Sequence, residues 1–477
     1  MNYLSGFEGF PVEISPAFEG QRVRKEDMYV EFGGPNIPKK FELVRVKSME
    51  EVEDGLVKIV GPDLSELKEG SSNPLGILIE VAGSRIDRDL EGVIERRIHM
   101  YTNYIEGIMH LNQRYDIWCR ISKKAVKKGL TSLKWWGIGL IKLFKAEMPY
   151  IEKMQVTLIT DPAEVEKIFD EAMKIYNERD ARARGLRDED VDLFYGCVLC
   201  QSFAPTHVCV ISPERVSLCG ALTWFDARAA ANIDPKGPNF PIPKGECLDP
   251  VRGEWSGANE AVQKKSLGAV KRVYLHSAFQ YPHTSCGCFE CIMFYIPEVD
   301  GFGIVDRGFR GEAVNGLSFS TMASQTGGGM QSEGFLGVGI EYMRSRKFIQ
   351  ADGGWSRIVW ISSTLRKRVE DAIPQELKDK IPTENEVKNV EELRKYLVEK
   401  GHPVAEKIVE AKPEVKPEAP PTPPVPQIPI AIPQIPAVTP QIPVTMPTAA
   451  GGVKIVLQGA RIKIGKLIVK KAESVKQ

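Results

Sequence analysis

The chain has 477 residues, about three domains' worth, of which 43% are apolar and 26% charged. Lys plus Arg and Asp plus Glu each number 63, so there is no basic excess of the kind that coats nucleic acid. No apolar run reaches the ~18 residues of a membrane helix, and the N-terminus shows no basic region followed by an apolar stretch, which leaves the cytoplasm as the expected compartment.

Residues 1–190 read as an N-terminal α/β domain. LGILIEV (75–81) and MQVTLIT (154–160) have the length and composition of strands, and residues 90–114 read as one long helix. A second helix should start after Asp161, with Asp161 as N-cap, Pro162 in the first helical position and Glu164 closing a capping box. Val165, Ile168, Phe169, Ala172 and Tyr176 would line its apolar face. Residues 177–192 are dense in charge and read as a solvated boundary. Residues 191–402 form the second domain, with TGGGM (326–330) and GFLGVG (334–339) as bends and an amphipathic helix closing at 383–402. Neither glycine run continues into a phosphate-binding or dinucleotide-binding pattern. Residues 403–450 are a Pro-rich linker: 13 of the 35 residues in 413–447 are Pro, and PQIP recurs at a seven-residue step. Residues 451–477 carry seven Lys/Arg against one Glu and read as a docking tail for an acidic partner subunit, or as a frayed basic end.

Nine cysteines make a closed disulfide framework a poor reading. Eight of them fall between Cys197 and Cys291, and clustered thiols in a chain without a signal peptide point to metal. Cys197, Cys200, Cys209 and Cys219 follow C-x2-C-x8-C-x9-C, which suits tetrahedral zinc or an iron–sulfur cube. Cys286-Gly287-Cys288 is different. Two thiolates with the amide nitrogens of Gly287 and Cys288 can wrap one ion in a plane, which suits a d8 ion such as Ni(II) and gives zinc no advantage. The central Gly should avoid a Cβ clash in that flattened backbone. Sulfurs on the outer side of such an ion can bridge to a second metal.

GCVLCQSFAPTHVC, SLCGALTWFDARAA and HTSCGCFECIMFY follow in the order and spacing of the acetyl-CoA synthase family, and over roughly residues 20–400 the chain most resembles the archaeal decarbonylase/synthase β-subunit type. The resemblance implies two packed α/β domains of that type and a nickel–iron–sulfur A-cluster. Cys197, Cys200, Cys209 and Cys219 would hold a 4Fe-4S cube, with Cys200 bridging to a proximal nickel. Cys286, Gly287 and Cys288 would hold a distal nickel, and Phe203 would gate the proximal one. The implied activity is an acyltransferase: reversible assembly of acetyl-CoA from CO, a methyl group carried by a corrinoid protein, and coenzyme A. The implied partners are CO dehydrogenase subunits and a corrinoid iron–sulfur protein, with no nucleic acid and no membrane. Bacterial members carry a further N-terminal domain that contacts CO dehydrogenase, and this sequence has no stretch matching it. The alternative is a non-catalytic iron–sulfur relay or scaffold subunit of the same kind of complex.

The other candidates have plainer readings. Cys119 beside Trp118 reads as core, and Cys247 and Cys291 as packed or spare thiols. His207, His276 and His283 read as hydrogen-bonded structural histidines. Arg252, Trp255 and Arg272 are weak candidates for meeting coenzyme A.

Overall fold

The structure is a computed structural model that describes residues 8–410, all within one compact unit. Of the expected Pro-rich linker (403–450), residues 403–410 are described and include helix Ala405–Glu410, with Val404 and Ile408 buried; the rest of it and the basic tail lie outside the described residues.

The architecture is mixed α/β, as expected. In the first half, one four-stranded sheet runs in the order Phe41–Val46, Gly76–Ala82, Lys153–Ile159, Val57–Val60. Gly76–Ala82 is its centre, parallel to Phe41–Val46 and antiparallel to Lys153–Ile159, with Ile79 opposite Val156. Its Ile77, Ile79 and Val81 share a core with helices Glu91–Asn103 and Leu133–Glu147, while Leu78 on the other face packs with the apolar side of helix Pro162–Ala181, so the strand is apolar on both faces. A second sheet takes the order Ser72–Asn73, Met28–Gly33, Trp118–Ser122, Ile108–Leu111. Cys119 is buried on it, in the core role read for it.

Helix Pro162–Ala181 starts as expected. The Asp161 carboxylate accepts from the Glu164 N–H at 3.0 Å, while the Glu164 side chain turns to Lys167 and leaves the box half made. Val165, Ala172 and Tyr176 are buried, with Ile168 and Phe169 packed against them.

Four expectations are corrected. The long helix over 90–114 ends at Asn103, because the Asn103 side chain bonds the returning chain at His110 N–H (2.9 Å) and C=O (2.8 Å) and Gly107 turns at φ +83°; strand Ile108–Leu111 follows. The charge-dense stretch 177–192 is only partly solvated. Arg179 is buried between Glu91 and Glu95 at 2.8 Å each, and Asp188 is buried against His276 at 3.0 Å. The closing helix is only Val390–Glu399, capped by Asn389, with Leu393 and Leu397 buried. Of the two glycine runs, only the first is a bend: Phe335–Val338 in the second is a strand.

In the second half, Leu193–Cys197 lies between Cys209–Ile211 and Asn239–Pro243 in a three-stranded antiparallel sheet. A four-stranded sheet takes the order Phe335–Val338, Cys291–Ile296, Gly301–Asp306, Ile358–Ile361. These two sheets position the cysteines. Among the described residues no helix is long and apolar enough to cross a membrane.

Candidate metal centre

Cys197 ends its strand directly opposite Cys209, so their side chains leave the same face of the sheet. The chain then enters a short 3-10 turn, Leu199–Ser202, that carries Cys200. Cys219 sits in a turn after the Cys209 strand, where the Gln113 side-chain amide donates to its carbonyl and Ser217 Oγ lies 3.4 Å from its sulfur. These four cysteines line one cavity, and Cys286 from the second stretch joins them on its wall. Leu199, Leu218 and Leu222 supply apolar lining.

Hydrogen bonds stitch the two stretches together. His207 Nδ1 lies 2.9 Å from Thr284 Oγ1, and the Glu290 N–H donates to Leu218 C=O at 2.9 Å. His283 Nδ1 lies 2.7 Å from the Thr284 carbonyl and so must carry its proton there, which leaves Nε2 to accept from the Val210 N–H at 2.9 Å. Burial holds His207 down at about 4 and His283 well below the usual imidazole range. The three histidines therefore act as neutral struts, which matches the plainer reading of them; His276 does so at Asp188.

The Cys286–Cys288 segment is irregular chain running into strand Cys291–Ile296. The TGGGM bend cradles it: the Gly328 N–H donates to Cys286 C=O at 3.3 Å and the Gly329 N–H to Ser285 C=O at 2.8 Å. Gly287 has φ +117°, and nothing lies within 4 Å of where its Cβ would stand. The expected clash is therefore not the reason for glycine here. The backbone torsion is, since L side chains rarely adopt it.

Cys200, Cys286 and Ala204 pack as one buried group with Cys288 against it. Hydrogen bonds to the sulfurs of Cys286 and Cys288, with burial, push the Cys200 thiol well up. Cys288, which accepts from both and lies near Arg96, is pulled well below the usual thiol range. Among the described residues no set of three or more His, Cys, Asp or Glu side chains is arranged to grip one ion. The sulfurs of Cys197, Cys200, Cys209, Cys219 and Cys286 instead line one small cavity of about 20 Å³.

Sequence reasoning missed the cations. Arg96, on helix Glu91–Asn103, is buried with Nη2 3.8 Å from Cys200 Sγ. Burial opposes its charge, but the sulfurs of Cys288, Cys200, Cys219 and Cys286 hold it firmly protonated. Arg307 donates to Gly287 C=O at 2.7 Å. Beyond Cys219 and Cys288 lies a cavity of about 180 Å³ whose walls include Arg96, His99, Glu290, Arg307 and Arg368. Nothing local in the sequence marks these residues; only the fold brings helix Glu91–Asn103 to the sulfurs. The donor set and its cations fit an anionic, thiolate-rich group.

The remaining candidates stand apart. Phe203, at the end of the turn bearing Cys200, is 45% exposed, its N–H donating to Cys200 C=O at 3.3 Å. Cys291 is buried within its sheet and Cys247 is exposed on strand Cys247–Asp249. Arg252 pairs with Asp249, and Arg272 with Glu254, at 2.8 Å each. Both lie over Tyr274, and Trp255 is buried; none of the three lines the cysteine cavity.

Comparison with known proteins matches residues 10–165 to the model of the CO dehydrogenase/acetyl-CoA synthase complex beta subunit, and residues 176–409 to that of the C-terminal region of the ACS/CODH beta subunit. The chain is 60% identical over 395 residues to acetyl-CoA decarbonylase/synthase complex subunit beta 2 of Methanosarcina thermophila, covering 83% of each chain. The chain belongs to this beta-subunit family. Its similarity to the subunit beta of Archaeoglobus fulgidus is 58% over 84% of this chain and 76% of that one; to subunit beta 2 of Methanocaldococcus jannaschii it is 57% over 84% and 85%. Two solved structures of the C-terminal domain of the acetyl-Coenzyme A synthase Alpha subunit, one a mutant, are 42% and 40% identical over 25% of this chain and 96% and 95% of theirs, each with a TM-score of 0.24.

Proposed function

We propose that the chain catalyses the reversible assembly of acetyl-CoA from CO, a methyl group carried by a corrinoid protein, and coenzyme A, at a nickel–iron–sulfur centre. One observation supports this most: sulfurs from two stretches some 70 residues apart in sequence meet in one buried group beside a buried Arg96. Cys197, Cys200, Cys209 and Cys219 would hold a 4Fe-4S cube. Cys200, Cys286 and Cys288 would share the proximal nickel, and Cys286 and Cys288 with the amide nitrogens of Gly287 and Cys288 would take the distal one. When bound, such a group supplies a soft, electron-rich metal at which methyl and carbonyl carbons can be joined and passed to a thiolate.

The protein's own part is geometry, charge and access. Neutral His207 and His283 brace the two sulfur-bearing stretches without offering a competing acid. Arg96 offsets the negative charge that several thiolates bring into a buried site. Phe203 is free of the core and positioned one turn from Cys200, as a gating side chain must be. CO dehydrogenase subunits and a corrinoid iron–sulfur protein are the partners this chemistry calls for, one supplying CO and the other the methyl group.

The test is anaerobic reconstitution followed by metal analysis and exchange of labelled CO with the acetyl carbonyl. The expected content is about two nickel per four iron. Cys286→Ser or Cys288→Ser should lose nickel and exchange while keeping the absorption of the cube. Exchange retained in either variant, or iron without nickel in a fully loaded wild type, would overturn the assignment.

A further inference from the structure

The nickel reading above asks two backbone amides, those of Gly287 and Cys288, to become metal ligands, and on that reading the surroundings of their peptide oxygens acquire a meaning. An amide that binds a metal through nitrogen gives up its proton, and the resulting negative charge is shared between nitrogen and the carbonyl oxygen of the same peptide. For the Gly287 amide that oxygen belongs to Cys286; for the Cys288 amide it belongs to Gly287. Both oxygens are already held. The Cys286 oxygen accepts from the Gly328 N–H at 3.3 Å. The Gly287 oxygen accepts from Arg307 Nη2 at 2.7 Å.

Arg307 is fixed for this task. It follows strand Gly301–Asp306, and its backbone N–H donates to Glu290 C=O at 2.9 Å, which carries the cysteine segment's continuation. From there Nη2 and Nε both reach Phe289 C=O (2.8 and 3.1 Å), and Nη1 reaches Asn112 Oδ1 at 3.2 Å. Its hydrogen-bond partners are all neutral oxygens, and among the described residues it forms no ion pair with a carboxylate. The guanidinium also favours the charged form of the Asp116 carboxyl and lies over the Phe319 ring at 5.7 Å, but its shortest hydrogen bond is the one to the Gly287 oxygen. The Cys288 N–H in turn points at Cys286 Sγ, 3.3 Å away, so its proton occupies the space between donors that a planar ion would fill.

We infer that Arg307, assisted by the Gly328 N–H, is a positioning residue that stabilises the deprotonated backbone amides of the Cys286–Gly287–Cys288 segment and so selects an ion able to use them. The balance is simple. Both sulfurs bind as thiolates and both amides as amidates, every proton they still carry leaves to solvent, four bonds form to one dipositive ion, and no electron moves. Four negative donors against a dipositive ion leave the segment with a net charge of two minus, and a fixed cation bonded to one of the two charge-bearing oxygens meets part of that charge.

The test compares two ions on the full-length, metal-free, reduced protein. Ni(II) in a planar site needs the amides, whereas Cd(II) binds thiolates and leaves the amides protonated. Nickel is followed by the visible bands of planar Ni(II), and cadmium by its thiolate charge-transfer absorption. Arg307→Met should weaken nickel roughly ten- to a hundredfold, the usual loss on removing a hydrogen-bond partner just outside a metal's ligands. Cadmium affinity should stay within about twofold, and Arg307→Lys should recover part of the nickel loss. Parallel loss of both ions would mean Arg307 only shapes the loop and would overturn the inference, as would unchanged nickel binding in Arg307→Met. A wild type that binds nickel without planar bands would overturn the nickel reading itself, and this inference with it.

Discussion

Replacing Gly287 by alanine tests whether the torsion at the centre of the cysteine pair is what the site requires. The residue sits at φ +117° with open space where a Cβ would go, so the substitution creates no collision. What it creates is torsional strain. A non-glycine residue held in such a region costs on the order of 1–3 kcal/mol. At 1.4 kcal/mol per decade, a loop that must keep this torsion to seat nickel loses affinity by roughly five- to 150-fold. Because the penalty is torsional, Gly287→Ser should lose about as much as Gly287→Ala. A steric penalty would instead grow with side-chain size. Gly55 is the control: it too has positive φ (+82°) and open space around its Cβ position. Gly55→Ala should lower stability and leave nickel binding alone. Affinity is read from equilibrium titration of the metal-free protein with Ni(II), and stability from denaturant unfolding. If Gly287→Ala matches wild type in both, the loop does not hold this torsion in solution and the argument for the glycine fails.

Three further outcomes are expected. Arg96→Met removes the buried cation 3.8 Å from Cys200 Sγ and should make the iron–sulfur cube harder to reduce by about 50–100 mV, measured by spectroelectrochemical titration, with Arg96→Lys intermediate; an unchanged potential would refute the role of this charge. At Asp188, burial pushes the carboxyl up, but the His276 hydrogen bond and the Lys347 charge overcome it and hold it at about 2. With the folded value below the unfolded ~3.9, its stabilisation is complete above about pH 4 and is lost as pH falls through about 2. Wild type should therefore lose about 2–3 kcal/mol across that window relative to Asp188→Asn, and parallel pH profiles would contradict this. Phe203→Ala should change unfolding free energy by less than about 0.5 kcal/mol, as for an exposed side chain, while altering CO exchange at unchanged metal content; unaltered exchange would remove Phe203 from the gate.

The sequence exposed what is local. The strand over 75–81, the Asp161–Pro162 helix start and the apolar face from Val165 to Tyr176 follow from patterns a few residues long, and the structure carries them. The C-G-C spacing stood out for the same reason, because chelation by adjacent residues is a property of the chain itself. What stayed hidden depends on contacts across the fold. Asn103 ends its helix by bonding His110, a partner that helical periodicity over 90–114 does not reveal. Arg179 and Asp188 look like surface charge until Glu91, Glu95 and His276 arrive from elsewhere. Arg96 reaches Cys200 Sγ and Arg307 the Gly287 carbonyl only because a helix from the first half and a strand end from the second converge there. Gly287 was legible as a residue that had to be glycine, but its reason was not: φ +117° cannot be read from a three-letter motif.

The pairing of Cys197 with Cys209 across the antiparallel ladder has an implication for how the molecule matures. Side chains alternate along a strand, so sliding one strand by a single step would turn one of these sulfurs to the far side of the sheet. On the proposed metal reading, iron uptake would then double as a proofreading step: a chain whose hydrogen-bonded ladder has closed in the right alignment would retain the inorganic cargo, and misaligned copies would stay empty and colourless.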